Sequence, residues 1–182
     1  MLESTLVAHC APTRAKLKVG SMFSASLSAG EQVDALNGLL APKGVALKVV
    51  CRRGSRALYY LYRPQELAQL MASPDTQALL RRYGYTAFTP AMALERLMER
   101  LACCEEFPHE IGVFLGYPLH DVEGFIANCG RNCRCCGLWK AYGDAREAQR
   151  TFARYRKCTE VYTRLYAQGR PLERLTVQTK TA

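Results

Sequence analysis

The chain has 182 residues, 49% of them hydrophobic and 23% charged, with a formal charge of +9 and nine cysteines. That balance excludes a disordered or collagen-like chain, and at roughly 100–200 residues per domain the length predicts one domain, 1–182, that buries its own core without disulfides. No run approaches the roughly 18 apolar residues that cross a bilayer, and the opening residues carry Glu3 and no signal-peptide run, so a cytoplasmic protein with reduced thiols is expected.

Leu2 to His9 reads as a short helical turn, with Pro12 restarting the chain as the first residue of a second helix. Ser28 followed three residues later by Glu31 forms a capping box, and Val33, Leu36, Leu39 and Leu40 recur at helical spacing until Pro42 and Gly44. Two Val-, Tyr- and Leu-rich runs, 45–52 and 56–63, flank Arg53-Gly54-Ser55 and predict a β-hairpin. In the second run Leu58, Tyr60 and Tyr62 share one face while Tyr59 and Leu61 share the other, which predicts a strand covered on both sides. Short helices follow around Leu67 and Leu70 and around Leu79 and Leu80, then a longer one entered by Thr89-Pro90. Ile111 to Leu115, bounded by Pro108 and Gly116, reads as a buried strand, followed by a helix over 119–128. Leu138 to Tyr142 reads as a fourth strand, and Gly143-Asp144 opens a long final helix that ends at Gly169. The predicted fold class is α+β, a single domain with a small, mostly antiparallel sheet covered by helices.

The charge is uneven. Residues 1–64 hold nine Lys/Arg against three Asp/Glu, residues 65–130 four against nine, and residues 131–182 twelve against four. Nucleic-acid binding is not favoured, because no RNP-type motif, helix-turn-helix pattern or basic tail accompanies the charge. Packing of the acidic middle beside the basic ends accounts for it, with the last helix solvated along its Arg-rich face.

Three stretches carry chemistry. In Cys129-Gly-Arg-Asn-Cys133-Arg-Cys135-Cys136, the pair Cys133 and Cys136 has the spacing of a two-ligand knuckle, and soft thiolates select zinc, copper(I) or an iron–sulfur centre. Further ligands would come from Cys129, Cys135, Cys103, Cys104 or His109. The spacing Cys129-x3-Cys133-x2-Cys136 resembles that of radical S-adenosylmethionine enzymes, but the 46 residues after Cys136 are too few for the barrel that family builds. In the second stretch Cys10 lies just ahead of the helix expected at Pro12, where the macrodipole would favour a thiolate. His109 is its candidate base, giving a Cys/His hydrolase or acyltransferase as the enzyme reading. His109 to Gly116 is similar, one residue out of register, to the segment that carries the catalytic histidine of papain-like cell-wall peptidases. Third, Arg52, Arg53 and Arg56 at the hairpin tip are candidates to receive a phosphate or carboxylate.

Taken together, His9-Cys10-Ala11-Pro12-Thr13, the stretch from Pro108 to Pro118, Asn132-Cys133-x2-Cys136-Gly137 with Trp139-Lys140 and Tyr142, and Phe152-x2-Tyr155-x2-Cys158 resemble an uncharacterised bacterial family. It is the domain of unknown function 3793, typical of anaerobic Firmicutes. The resemblance implies a cytosolic protein of anaerobes, sometimes encoded near flavodoxins or ferrous-iron transport genes, and supplies no activity to transfer. Arg14-Ala15-Lys16 departs from the family's Leu-Ala-Gly, and Cys129 stands where the family has no cysteine, which implies that Cys129 is not an essential ligand. The leading expectation is a thiol-rich protein of iron or redox handling that binds zinc or an iron–sulfur centre through Cys133 and Cys136. The alternatives are the Cys10/His109 enzyme and a non-catalytic module whose basic ends meet an acidic protein such as flavodoxin.

Overall fold

The Val- and Tyr-rich hairpin sets the middle of the molecule. The structure, a computed structural model, describes residues 2–103 and 107–179. In chain order the elements are α1 (Leu2–Arg14), β1 (Gly20–Ser26), α2 (Val33–Leu40), β2 (Ala46–Arg53), β3 (Arg56–Tyr62), α3 (Pro64–Ala72), α4 (Pro74–Arg81) and α5 (Pro90–Cys103). Then follow α6 (Ile111–Phe114), α7 (Leu119–Ala127), β4 (Cys135–Cys136), β5 (Lys140–Ala141) and α8 (Ala145–Ala167). The sheet is antiparallel with order β1-β3-β2, so β3 is central, and β4 pairs with β5 in a separate small hairpin. The fold is α+β.

A two-sided sheet follows from the period of two along β3. Tyr59 and Leu61 face a core built from Leu6 and Cys10 of α1, Leu40 of α2, and Phe23 and Leu47 of the flanking strands. Tyr60 faces the other core, with Leu67, Leu80, Leu97 and Phe114 from α3 to α6. All three β3 residues are fully buried. A bulge between Val49 and Cys51 turns Val50 into the second core while Leu47 stays in the first. Among the described residues no helix is long and apolar enough to cross a membrane.

Four sequence expectations change. The first helix does not stop before Pro12 but runs through it to Arg14, and its face of Leu2, Leu6, Cys10 and Thr13 is buried. Ser28 caps no helix: Leu27–Gln32 forms a 3-10 turn, the Ser28 hydroxyl bonds Ser26, and α2 starts at Val33. Ile111 to Phe114 is one turn of helix, not a strand. A short apolar run buried on all sides has no period that separates the two states, and Gly116, with φ +69°, closes the turn by letting the Tyr117 amide reach the Gly112 carbonyl. The fourth strand narrows to Lys140–Ala141, with Leu138 and Trp139 in the turn before it.

The last helix starts and ends as expected, with Asp144 accepting from the amides of Arg146 and Glu147 and Gly169 in the left-handed region. Beyond it the chain returns to the start of the fold. The buried guanidinium of Arg63 donates to the carbonyls of Thr13, Arg14 and Val177 and to Thr179 Oγ1, at 2.7–2.8 Å each. This side chain ties α1, the start of α3 and the tail into one unit.

Candidate functional site

The four-residue spacing of Asp121 and Phe125 on α7 puts a carboxylate and an aromatic ring on one helix face. The Asp121 carboxylate is only 4% exposed. Its Oδ2 accepts from Trp139 Nε1 at 2.8 Å, and its Oδ1 from the amides of Tyr142 at 2.6 Å and Gly143 at 3.0 Å. Three N–H donors satisfy the buried charge, so one side chain of α7 fastens the whole β4–β5 hairpin and orients its indole. Close approach needs glycine at two points. A Cβ at Gly124 would overlap Tyr142, and one at Gly137 would overlap the Phe152 ring.

Trp139 is the chain's one tryptophan. It stacks on Tyr117 at 4.8 Å and stands edge-on to Phe152 at 4.5 Å. Tyr117, Leu138 and Trp139 form a wall with a hollow on each side. The first, a cleft of about 390 Å³, is lined by Phe107, Ile111, Phe125 and Trp139, with His109, Asp121, Cys136 and Lys140 as polar members. His109 lies 4.9 Å from Phe125 and 6.2 Å from Phe107, ring to ring. The second, of about 370 Å³, lies between α1, β1 and α8 and includes His9, Lys18, Ser21 and Arg156.

The sequence candidates divide between these places. His109 and Cys136 line the same cleft. Antiparallel pairing sets Cys135 opposite Ala141 and Cys136 opposite Lys140, and Cys135 packs with Ala141, Ala148 and Phe152. Cys133 is half-buried and lies outside that cleft's lining. Among the described residues no group of three or more His, Cys, Asp or Glu is placed to hold a metal ion; Cys104, one expected ligand, lies outside the described residues.

Cys10 is not ahead of a helix N-terminus but within α1, wholly buried. Burial pushes its thiol up to about 12, against the opposing pull of Arg14 and Lys18. It belongs to the core on the α1 face of the sheet, whereas His109 stands beside Ile111 of the core on the other face. At the hairpin tip, Arg56 donates to the Ser24 hydroxyl and carbonyl and Arg53 to the Leu101 carbonyl, so two of the three expected anion-binding guanidiniums serve the fold. Both also line a hollow of about 200 Å³.

The matched family settles the chain's kinship. The chain belongs to the family described as protein of unknown function (DUF3793). The match covers residues 6–176, from the first turns of α1 to just beyond Leu175, and so includes both walls of the aromatic cleft. No curated protein and no solved structure matches the chain. Within the matched stretch, sequence reasoning passed over Asp121, Trp139 as a cleft wall, and Lys18. A lone tryptophan beside a Gly-flanked cysteine loop was a usable signal for the second; nothing near Lys18 or Asp121 in sequence marks their partners.

Proposed function

We propose that the protein binds a flat, largely apolar small molecule in the cleft between α7 and the β4–β5 hairpin. The observation that carries this reading is the cleft wall itself: aromatic rings of Phe107, Phe125 and Trp139 around about 390 Å³, with the indole held in place by the buried Asp121 carboxylate. A preformed concave site with few polar groups is the form that small-molecule sites take. Cys136, His109 and Lys140 at its edge supply a thiol, an imidazole and an ammonium to orient the ligand. The expected zinc or iron–sulfur reading draws less support, since the described part of the chain brings Cys133 and Cys136 no third ligand. All eight described cysteines are free thiols.

The test uses Nile red, a flat neutral dye. Binding should saturate at one dye per chain and quench Trp139 emission, and Phe125→Glu, which sets a carboxylate in the wall, should weaken it at least tenfold with the circular dichroism unchanged. Dye binding that ignores Phe125→Glu, or that leaves Trp139 emission untouched, overturns the proposal.

A further inference from the structure

Across the Tyr117–Trp139 wall the second hollow has a different chemistry. Lys18, His9 and Arg156 line it with the hydroxyl residues Ser21 and Thr159. No described carboxylate lies within ion-pair distance of Lys18; its ammonium sits 5.0 Å from the centre of the Tyr117 ring. Burial lowers its pKa to about 8, partly opposed by Cys10, so at neutral pH it remains a cation stripped of much of its water.

Its surroundings do not compensate the charge. Cys10 is a thiol at this pH, and Arg14, four residues on along α1, is itself fully buried. The Arg14 guanidinium, behind the pocket wall, lies 5.2 Å from the centre of the Tyr162 ring and donates one bond, from Nη1 to the Leu175 carbonyl at 3.2 Å, while its Nε and Nη2 make no hydrogen bond. The hydroxyls near the pocket are engaged, Ser21 with Thr13 at 2.8 Å and Thr159 with the Tyr155 carbonyl at 3.1 Å. The lining groups with donors to spare are therefore the nitrogen-bearing side chains Lys18, Arg156 and His9.

Desolvated cations without counter-ions are unfavourable in an empty protein and become favourable when an anion enters. A doubly charged phosphate presents acceptors in several directions and suits Lys and Arg together. At about 370 Å³ the hollow exceeds a bare phosphate, and the remaining wall, Tyr117, Leu138 and Trp139, is apolar. We propose that this pocket is a phosphomonoester site in which Lys18 is the principal contact, Arg156 and His9 close on the phosphate from the rim, and the organic part of the ester lies against Tyr117 and Trp139. The site is separate from the aromatic cleft and stands without it.

Calorimetric titration of the full chain with phenyl phosphate and with inorganic phosphate, at matched ionic strength, tests this. Phenyl phosphate should bind one per chain, inorganic phosphate should compete for the same site at least tenfold more weakly, and Lys18→Met should weaken phenyl phosphate binding at least tenfold. Lys18→Arg, which keeps the charge, should recover part of that loss, and Phe125→Glu in the other cleft should leave it unchanged. Absence of binding, equal affinity in Lys18→Met, or inorganic phosphate binding as tightly as the ester would overturn the proposal.

Discussion

Lys18→Met should raise the stability of the unliganded protein at neutral pH relative to alkaline pH, and the pH dependence is the decisive part. In the folded chain the ammonium gives up its proton at about 8, against the usual 10.5. Between those values the unfolded chain holds the extra proton, so wild-type stability rises with pH across that window; the burden of the buried charge is fully present below about pH 8. At about 1.4 kcal/mol per unit, going from roughly pH 6.5 to 9.5 relieves at most about 2 kcal/mol, and the water that reaches a half-buried side chain trims this to about 1–2 kcal/mol. Cys10 acts in the opposite sense. Its folded pKa is raised from 9.0 to about 12, so the stability it contributes is lost as pH climbs through that interval. Both proteins carry Cys10, and the burial that dominates its shift cancels in their difference; only the smaller pull of Lys18 on the thiol does not. Urea unfolding followed by Trp139 fluorescence should therefore show the variant's advantage shrinking by about 1–2 kcal/mol over that pH range. A difference that stays constant with pH would refute the placement of Lys18 as a desolvated, uncompensated cation.

Three further outcomes follow from the site's construction. Asp121→Ala leaves the Trp139 indole and two backbone amides without their acceptor, and should cost about 2–4 kcal/mol and shift Trp139 emission to the red; unchanged emission would show that the carboxylate does not hold the indole. Gly137→Ala forces a methyl into the Phe152 ring and should lower stability by about 1–3 kcal/mol, measured by thermal unfolding. Iodoacetamide at neutral pH should modify the exposed Cys136 well before the buried Cys10, as read by peptide mass spectrometry; equal rates would contradict the burial of α1.

The sequence was most legible where local and tertiary preferences agree. The β2–β3 hairpin, the two-sided burial of β3 and the Asp144 cap of α8 all follow from nearest-neighbour chemistry. Strand β1 was harder to see, because Gly20, Ser21, Ser24 and Ser26 give it little strand character, and its pairing with β3 supplies what its composition lacks. The α6 turn was misread because four apolar side chains around Gly112, between punctuating Pro108 and Gly116, satisfy a strand and a buried helical turn equally. Cys10 illustrates a third kind of difficulty. Its dipole argument depended on Pro12 opening a new helix; in the fold Pro12 sits inside α1, so the thiol meets a hydrophobic core where a helix start was expected. The cleft was half visible: His109 and Cys136 were singled out for different chemistries, and only the folding of α7 against the hairpin brings them to one place.

Arg63 gives residues 177–179 a weight that their lack of regular structure conceals. Two of its four acceptors, the Val177 carbonyl and Thr179 Oγ1, lie beyond Thr176, where the family match stops. A chain trimmed to the matched segment would therefore take half of its acceptors, and the residues that cover it, from a guanidinium buried in the full fold. The boundary of shared sequence and the boundary of the folded unit are different lines, and the second runs through a bolt that fastens residues 177–179 to the C-terminal turn of α1.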